Sequence, residues 1–396
     1  MMTTAQTFFK SHLGQTSPFP FLIEVERAEG AYIYDKNGKA YLDMIAGVAV
    51  NNIGHRHPKV IAALEQQLQK HLHVMVYGEF IQDAQQNLAK QLLKVLPGHL
   101  DGVYVVNSGT EAIEAALKLA KRVTGRTELV AFKGSYHGST HGAMSVSANE
   151  VKKIAFRPLL PDVRILPHNE IAFLNQITTR TAGVILETIQ GDAGVRKPSL
   201  EFLQALRKRC TEVGALLIFD EIQCGMGRTG RMFAFEHFEI MPDVLTLGKA
   251  LGGGMPIGAL VASQQHLNQF THDPMLGHIT TFGGHPMVCA AAAATLEVLQ
   301  TEIDWKELEQ NAAHFSEQIA QHPMVLSHRR VGAMFAFDLT NADQVEKVVQ
   351  FCLDAGLITF WFLSHPYSFR LSPPLNLSKN EWDEAQQIIL SALNTL

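Results

Sequence analysis

The sequence predicts an α/β protein. Its large domain holds a mostly parallel sheet flanked by helices, and a smaller α+β domain is formed by the N- and C-terminal parts. Three observations carry this. The chain has 396 residues, 46% hydrophobic and 18% charged, enough for a large core and two domains. Its middle alternates short apolar runs with helical patterns, the mark of a sheet covered on both faces. Its last third changes to amphipathic helices and alternating strands. The expected division is residues 1–50, packing with the small domain, 51–289 as the large domain, and 290–396 as the C-terminal small domain.

Residues 23–41 alternate like a hairpin, with Asp35-Lys36-Asn37-Gly38 as its turn. Residues 103–106 read as a strand. A helix follows with Ile113, Ala116, Leu117 and Ala120 on one face. Residues 129–132 and 183–186 are further strands, the second ending in Glu187. A helix over 200–213 turns Leu203, Leu206, Cys210 and Val213 inward, and Gly214 stops it. Strands at 216–219 and 244–247 come next. Beyond them lie an amphipathic helix over 304–321, strands at 334–339 and 358–363, and a closing helix over 379–393.

Ligands of such sheets sit at the carboxyl ends of the strands. Ser108, Glu187, Asp220 and Lys249 all fall there. A lysine alone is ordinarily a solvated cation. Lys249, however, follows one buried strand and precedes Gly252-Gly253-Gly254, while Asp220 ends another. An amine for an aldehyde and a carboxylate for a pyridinium nitrogen suit pyridoxal phosphate. Asn107-Ser108-Gly109-Thr110-Glu111 joins a strand to a helix, with Ser108 and Glu111 spaced as a capping box. Such a helix start offers free N–H groups to a phosphate. Tyr136 is placed to stack on a cofactor ring, and Gln223 to bond the ring's 3-oxygen. Arg370, between apolar residues and a diproline, suits bidentate carboxylate binding.

Several classes are disfavoured. The net charge of −5 gives no electrostatic footprint for nucleic acid. No signal pattern or membrane-length apolar run is present. The four cysteines form no C-x-x-C pair, and they fit a reducing cytoplasm. The eighteen histidines are scattered, so no metal is expected. Residues 225–230 match G-x-G-x-x-G, but five residues separate them from their strand and Pro242 follows early. A nucleotide-binding oxidoreductase is therefore a poor reading. A non-catalytic binding protein is the other alternative.

Taken together, the motifs resemble the class III pyridoxal phosphate aminotransferases of fold type I, nearest the acetylornithine and ornithine subgroup. The matching blocks are Gly47-Val48-Ala49-Val50-Asn51 with Gly54-His55, and residues 107–111, 219–230, 246–258 and 281–284. The resemblance implies Lys249 as the Schiff-base lysine and Asp220 as the pyridinium partner. It implies Ser108, Gly109 and Thr110 at the phosphate and Tyr136 over the ring. Thr281 would reach the phosphate from the neighbouring subunit, giving a homodimer with shared active sites, while Ser139 and Thr280 would face the substrate. Arg370 would bind the α-carboxylate of glutamate or 2-oxoglutarate, and Glu187 would neutralise it when an ω-amine enters. The implied activity is ping-pong amino transfer from an ornithine- or acetylornithine-like donor to 2-oxoglutarate. Racemases, decarboxylases, aminomutases and α-amino acid transaminases of the same fold share the lysine and aspartate. Ser139 stands where acetylornithine enzymes carry a substrate-gripping arginine, Val48 where ornithine enzymes carry a tyrosine, and His285 where an asparagine is usual.

Overall fold

The computed structural model describes residues 2–396. After a helix at Thr4–His12 come three strands: β1 (Val25–Glu29), β2 (Tyr32–Asp35) and β3 (Ala40–Asp43). The expected single hairpin is thus a three-stranded meander. The turn at 35–38 joins β2 to β3, where Asp35 Oδ1 accepts the N–H groups of Asn37 and Lys39. A second turn at Gly30, with φ +57, breaks the run that reads as one strand.

Seven strands form the central sheet: β4 (Gly102–Val106), β5 (Glu128–Phe132), β6 (Val163–Leu166), β7 (Thr181–Glu187), β8 (Leu216–Asp220), β9 (Val244–Gly248) and β10 (Gly258–Ala262). Their order is β4-β10-β9-β8-β7-β5-β6. Only β10 runs against its neighbours. It was not expected from sequence, although residues 258–262 are an apolar run. Strands β5, β7, β8, β9 and β10 are buried throughout, which explains their near-continuous hydrophobicity. Helices Gly109–Thr124 and Leu200–Val213 are among those covering the sheet, and each ends at a glycine in the left-handed region, Gly125 and the expected stop Gly214.

The C-terminal part adds β11 (Ser327–Val331), β12 (Met334–Asp338), β13 (Leu357–Ile358), β14 (Phe360–Trp361) and β15 (Ser368–Leu371). The strand expected at 358–363 is two short strands in different sheets. β13 lies parallel to β3, while β14 pairs with β15 beside β12 and β11. The chain changes sheet at Thr359, and alternation of side chains carries no sign of such a crossing. The amphipathic helix is Trp305–Ala320, capped by Asp304, and the closing helix is Lys379–Leu393. Among the described residues no helix is long and apolar enough to cross a membrane.

Candidate active site

Residues at the carboxyl ends of β5, β7, β8 and β9 line one cavity of about 250 Å³. Gly109, Thr110, Tyr136, Ser139, Glu187, Asp220, Gln223 and Lys249 all face it, and His137, Gly138, Ile222 and Cys224 complete the wall. Ser108, Thr280, Thr281 and Arg370 lie outside that lining. Larger grooves, of about 740, 660, 490 and 350 Å³, lie elsewhere and contain neither Lys249 nor Asp220.

Asp220 ends β8, with Glu187 beside it on β7 and Thr246 on β9. It is 4% exposed, and its two oxygens are differently held. Oδ1 accepts the Ile222 N–H at 3.0 Å, and Oδ2 lies 2.7 Å from His137 Nδ1. The Nε2 of His137 is buried without a partner. His137 was missed as a site residue, because a histidine after Tyr136 reads like any loop histidine. Only folding brings it to Asp220.

Lys249 follows Gly248 at the end of β9, with φ +43, and opens a short 3-10 turn. A lysine in the left-handed region is strained. It keeps part of its surface open and lines the cavity. Surrounding protein pushes its ammonium pKa down, Asp220 opposes this, and Arg370 reinforces it.

The Gly109–Thr124 helix begins at the same cavity. Ser108 Oγ accepts the Glu111 N–H at 3.3 Å, one half of the expected capping box. The other half is absent. The Glu111 carboxylate takes the Asn107 N–H at 2.8 Å instead, bracing the strand exit rather than the cap residue. Glycine is required at 109: an added Cβ would lie 2.8 Å from the Ile222 side chain.

Glu187 is buried, and its carboxylate accepts the backbone N–H groups of Tyr136 and Gly191. Burial pushes its carboxyl up to about 7, against the pull of His137. Arg370 lies in mid-β15, 6% exposed, with its guanidinium 5.6 and 5.5 Å from the Phe360 and Phe362 ring centres. Its Nε has no partner. Burial lowers its pKa, and the acid acting against that is Asp192. No ion pair joins Glu187 to Arg370 among the described residues. Asp192 accepts the Leu363 N–H at 3.0 Å and the Ser364 hydroxyl at 2.7 Å, fastening the segment that carries Phe362. Sequence reading missed it; its signal was an acid inside a glycine turn after a buried strand.

Thr280 Oγ1 accepts from Asn107 Nδ2 and Gly283 N, and Thr281 is exposed. Residues 225–230 run through turns into a short 3-10 segment, Ala234–His237, not a long helix. Arg228 of that motif is fully buried. It donates to the carbonyls of Ala333 and Pro373 and to Asn52, tying three distant segments together. Among the described residues no cluster fits a metal ion.

The donor set fits pyridoxal phosphate. A half-buried amine, a buried carboxylate and a helix start match its aldehyde, ring nitrogen and phosphate. The small cavity does not suit a dinucleotide.

A family model described as Aminotransferase class-III matches residues 14–393. Acetylornithine aminotransferase from Archaeoglobus fulgidus is 37% identical over 385 residues, 96% of this chain and 98% of that one. Putrescine aminotransferase from Pectobacterium atrosepticum is 38% identical, covering 88% of this chain and 77% of that one. A Toxoplasma gondii ornithine aminotransferase structure, described with partial occupancy of PLP at its active site, superposes with a TM-score of 0.91. It is 28% identical, covering 98% of this chain and 93% of that one.

Proposed function

The chain belongs to the class-III aminotransferases, enzymes dependent on pyridoxal phosphate, and from that premise we propose that it moves an amino group from an ω-amine to 2-oxoglutarate by a ping-pong route. The observation that carries this is the meeting of Lys249, Asp220 and the Gly109–Thr124 helix start in one cavity. When bound, the cofactor supplies an aldehyde for the donor amine and a ring that accepts electrons. Lys249 would hold that aldehyde, and its amine, made less basic by the surrounding protein, is the group placed to carry a proton at the reacting carbon. Asp220, kept in place by His137 and the Ile222 N–H, would hold a proton on the ring nitrogen. Gly109 and Thr110 would receive the phosphate, Tyr136 would cover the ring, and Gln223 would meet its 3-oxygen; all four line the cavity. Arg370 clamps the 2-oxoglutarate α-carboxylate between its two aromatic neighbours. Asp192 joins Glu187 as an acid that opposes Arg370 when an ω-amine occupies the site.

The homodimer is part of the same reading. Leu72, Phe80, Ile81, Met275, Leu276 and Phe282 are exposed in the segments around Thr281. Exposed apolar side chains of that kind support a contact with another chain. Thr281 and Thr280 would then serve the partner's site. The pairing of β3 with β13 supports the packing of the N-terminal segment with the C-terminal part. The four free, buried cysteines accord with a cytoplasmic setting. For the donor, the relatives point to acetylornithine, ornithine or a diamine such as putrescine, and Ser139 offers no positive charge for a second carboxylate. A screen of ω-amines and α-amino acids, read as glutamate formed from 2-oxoglutarate, tests the proposal. Lys249→Ala should abolish turnover and the visible absorption of the bound cofactor; normal amino transfer by that variant would refute the assignment.

A further inference from the structure

Glu114 lies on the second turn of the Gly109–Thr124 helix, behind the cavity, and no step above uses it. Its Oε1 accepts three donors: the Thr140 hydroxyl at 2.5 Å, the Gly142 N–H at 2.9 Å and the Ala143 N–H at 3.2 Å. The helix His141–Val146 has no cap bond from its own N-cap residue, Thr140. Glu114 supplies that cap from another element.

The bonding has a direction. An oxygen that accepts two N–H groups carries no proton, so the Thr140 hydroxyl donates to Glu114. Thr140 Oγ1 lies 2.8 Å from Thr110 Oγ1, and its own proton is already committed. The Thr110 hydroxyl therefore donates to Thr140, and it accepts the Thr140 N–H at 3.3 Å. Thr110 has no hydroxyl proton left for a phosphate, so its backbone N–H is what the helix start presents. Two glycines make room for the link. A Cβ at Gly138 would lie 2.4 Å from Thr110 Oγ1, and one at Gly142 would lie 2.1 Å from Glu114 Oε2.

We propose that Glu114 is a positioning residue of the cofactor site: it tethers the loop bearing Tyr136, His137 and Ser139 to the first turn of the helix that receives the phosphate. This rests on the pyridoxal phosphate reading. One cofactor must touch both elements, the ring against the loop and the phosphate against the helix start. A fixed spacing lets both contacts form without further ordering cost. A ligand lacking the phosphate touches the loop side alone and gains nothing from the tether.

The test is titration of the apoprotein with pyridoxal phosphate and with pyridoxal, read as the ratio of the two dissociation constants. Glu114→Asp keeps the charge and loses the reach of one methylene. Glu114→Gln keeps an acceptor oxygen at full reach. The Asp variant should lose on the order of tenfold in preference for the phosphorylated ligand, about the worth of one hydrogen bond. Its pyridoxal affinity should hold. The Gln variant should stay within about threefold of the parent. Equal weakening of both ligands in the Asp variant marks a general structural role and overturns the proposal. An unchanged ratio, or a Gln variant as impaired as the Asp variant, overturns it too. Thermal unfolding of each apoprotein confirms that the variants fold. A parent protein that binds pyridoxal phosphate no better than pyridoxal would sink the underlying cofactor reading instead, which keeps the two failures apart.

Discussion

Asp220→Ala removes a carboxylate that serves two masters. On the protein side, Oδ2 meets His137 Nδ1 at 2.7 Å and Oδ1 accepts the Ile222 N–H at 3.0 Å. His137 is buried and already has an unpartnered Nε2, so the variant leaves its ring with no hydrogen bond from this partner. Each buried polar group so stranded costs about 1–3 kcal/mol. In a chain of this length that is a fall of a few degrees in unfolding temperature. On the cofactor side, loss of the negative charge lowers the pKa of the ring nitrogen and weakens the electron sink. A barrier increase of about 4 kcal/mol, or on the order of 10³-fold in rate, follows. Asp220→Asn separates the two effects. Its amide oxygen still accepts the Ile222 N–H, so stability should largely return, but the charge is gone and the rate should not. The assay is a single-turnover half-reaction with an ω-amine, alongside thermal unfolding of the apoprotein. A rate loss below tenfold in the Ala variant, or recovery of rate in the Asn variant, would refute the reasoning.

Arg370→Ala should impair the 2-oxoglutarate half-reaction most, because it removes a bidentate charge-assisted pair, and an ω-amine half-reaction less; equal losses in single-turnover experiments would make Arg370 structural or the donor an ordinary α-amino acid. Glu187 has its carboxyl pushed from 4.5 up to about 7, so the folded protein holds a proton that the unfolded chain releases between those values, and apoprotein stability falls as pH rises through that window. Glu187→Gln should remove a contribution of at most about 3 kcal/mol to that slope, measured by urea unfolding at pH 5 and 7.5; Glu221, pushed up to about 8, continues the fall in both proteins, and an unaltered slope would place the Glu187 shift in error. Mixing Lys249→Ala protein with a Thr281→Ala variant should restore activity through heterodimers with one intact site, and an active monomer at assay concentration would end that idea.

The sequence by itself determined the alternation of buried strands and helices, and with it the cavity at the strand ends. Lys249, Asp220 and the Ser108 cap were legible because each stands directly beside a strong local signal: an apolar run, a glycine stretch, a helix start. The closing helix at Lys379–Leu393 was legible as well, and the structure adds its capping box at Ser378 and Glu381. Tertiary structure decided whatever depends on residues far apart in the chain. His137 reaches Asp220 across 83 positions, Asp192 reaches Ser364 across 172, and Arg228 reaches Pro373 across 145. It also decided that residues 357–361 split between two sheets, and that β10 enters the central sheet antiparallel. Local periodicity reports which face of an element is buried, but it carries no information on which partner buries it. Hydrogen-bond partners of buried polar groups are chosen at that second step, so the residues that orient the site appear only once the chain is folded.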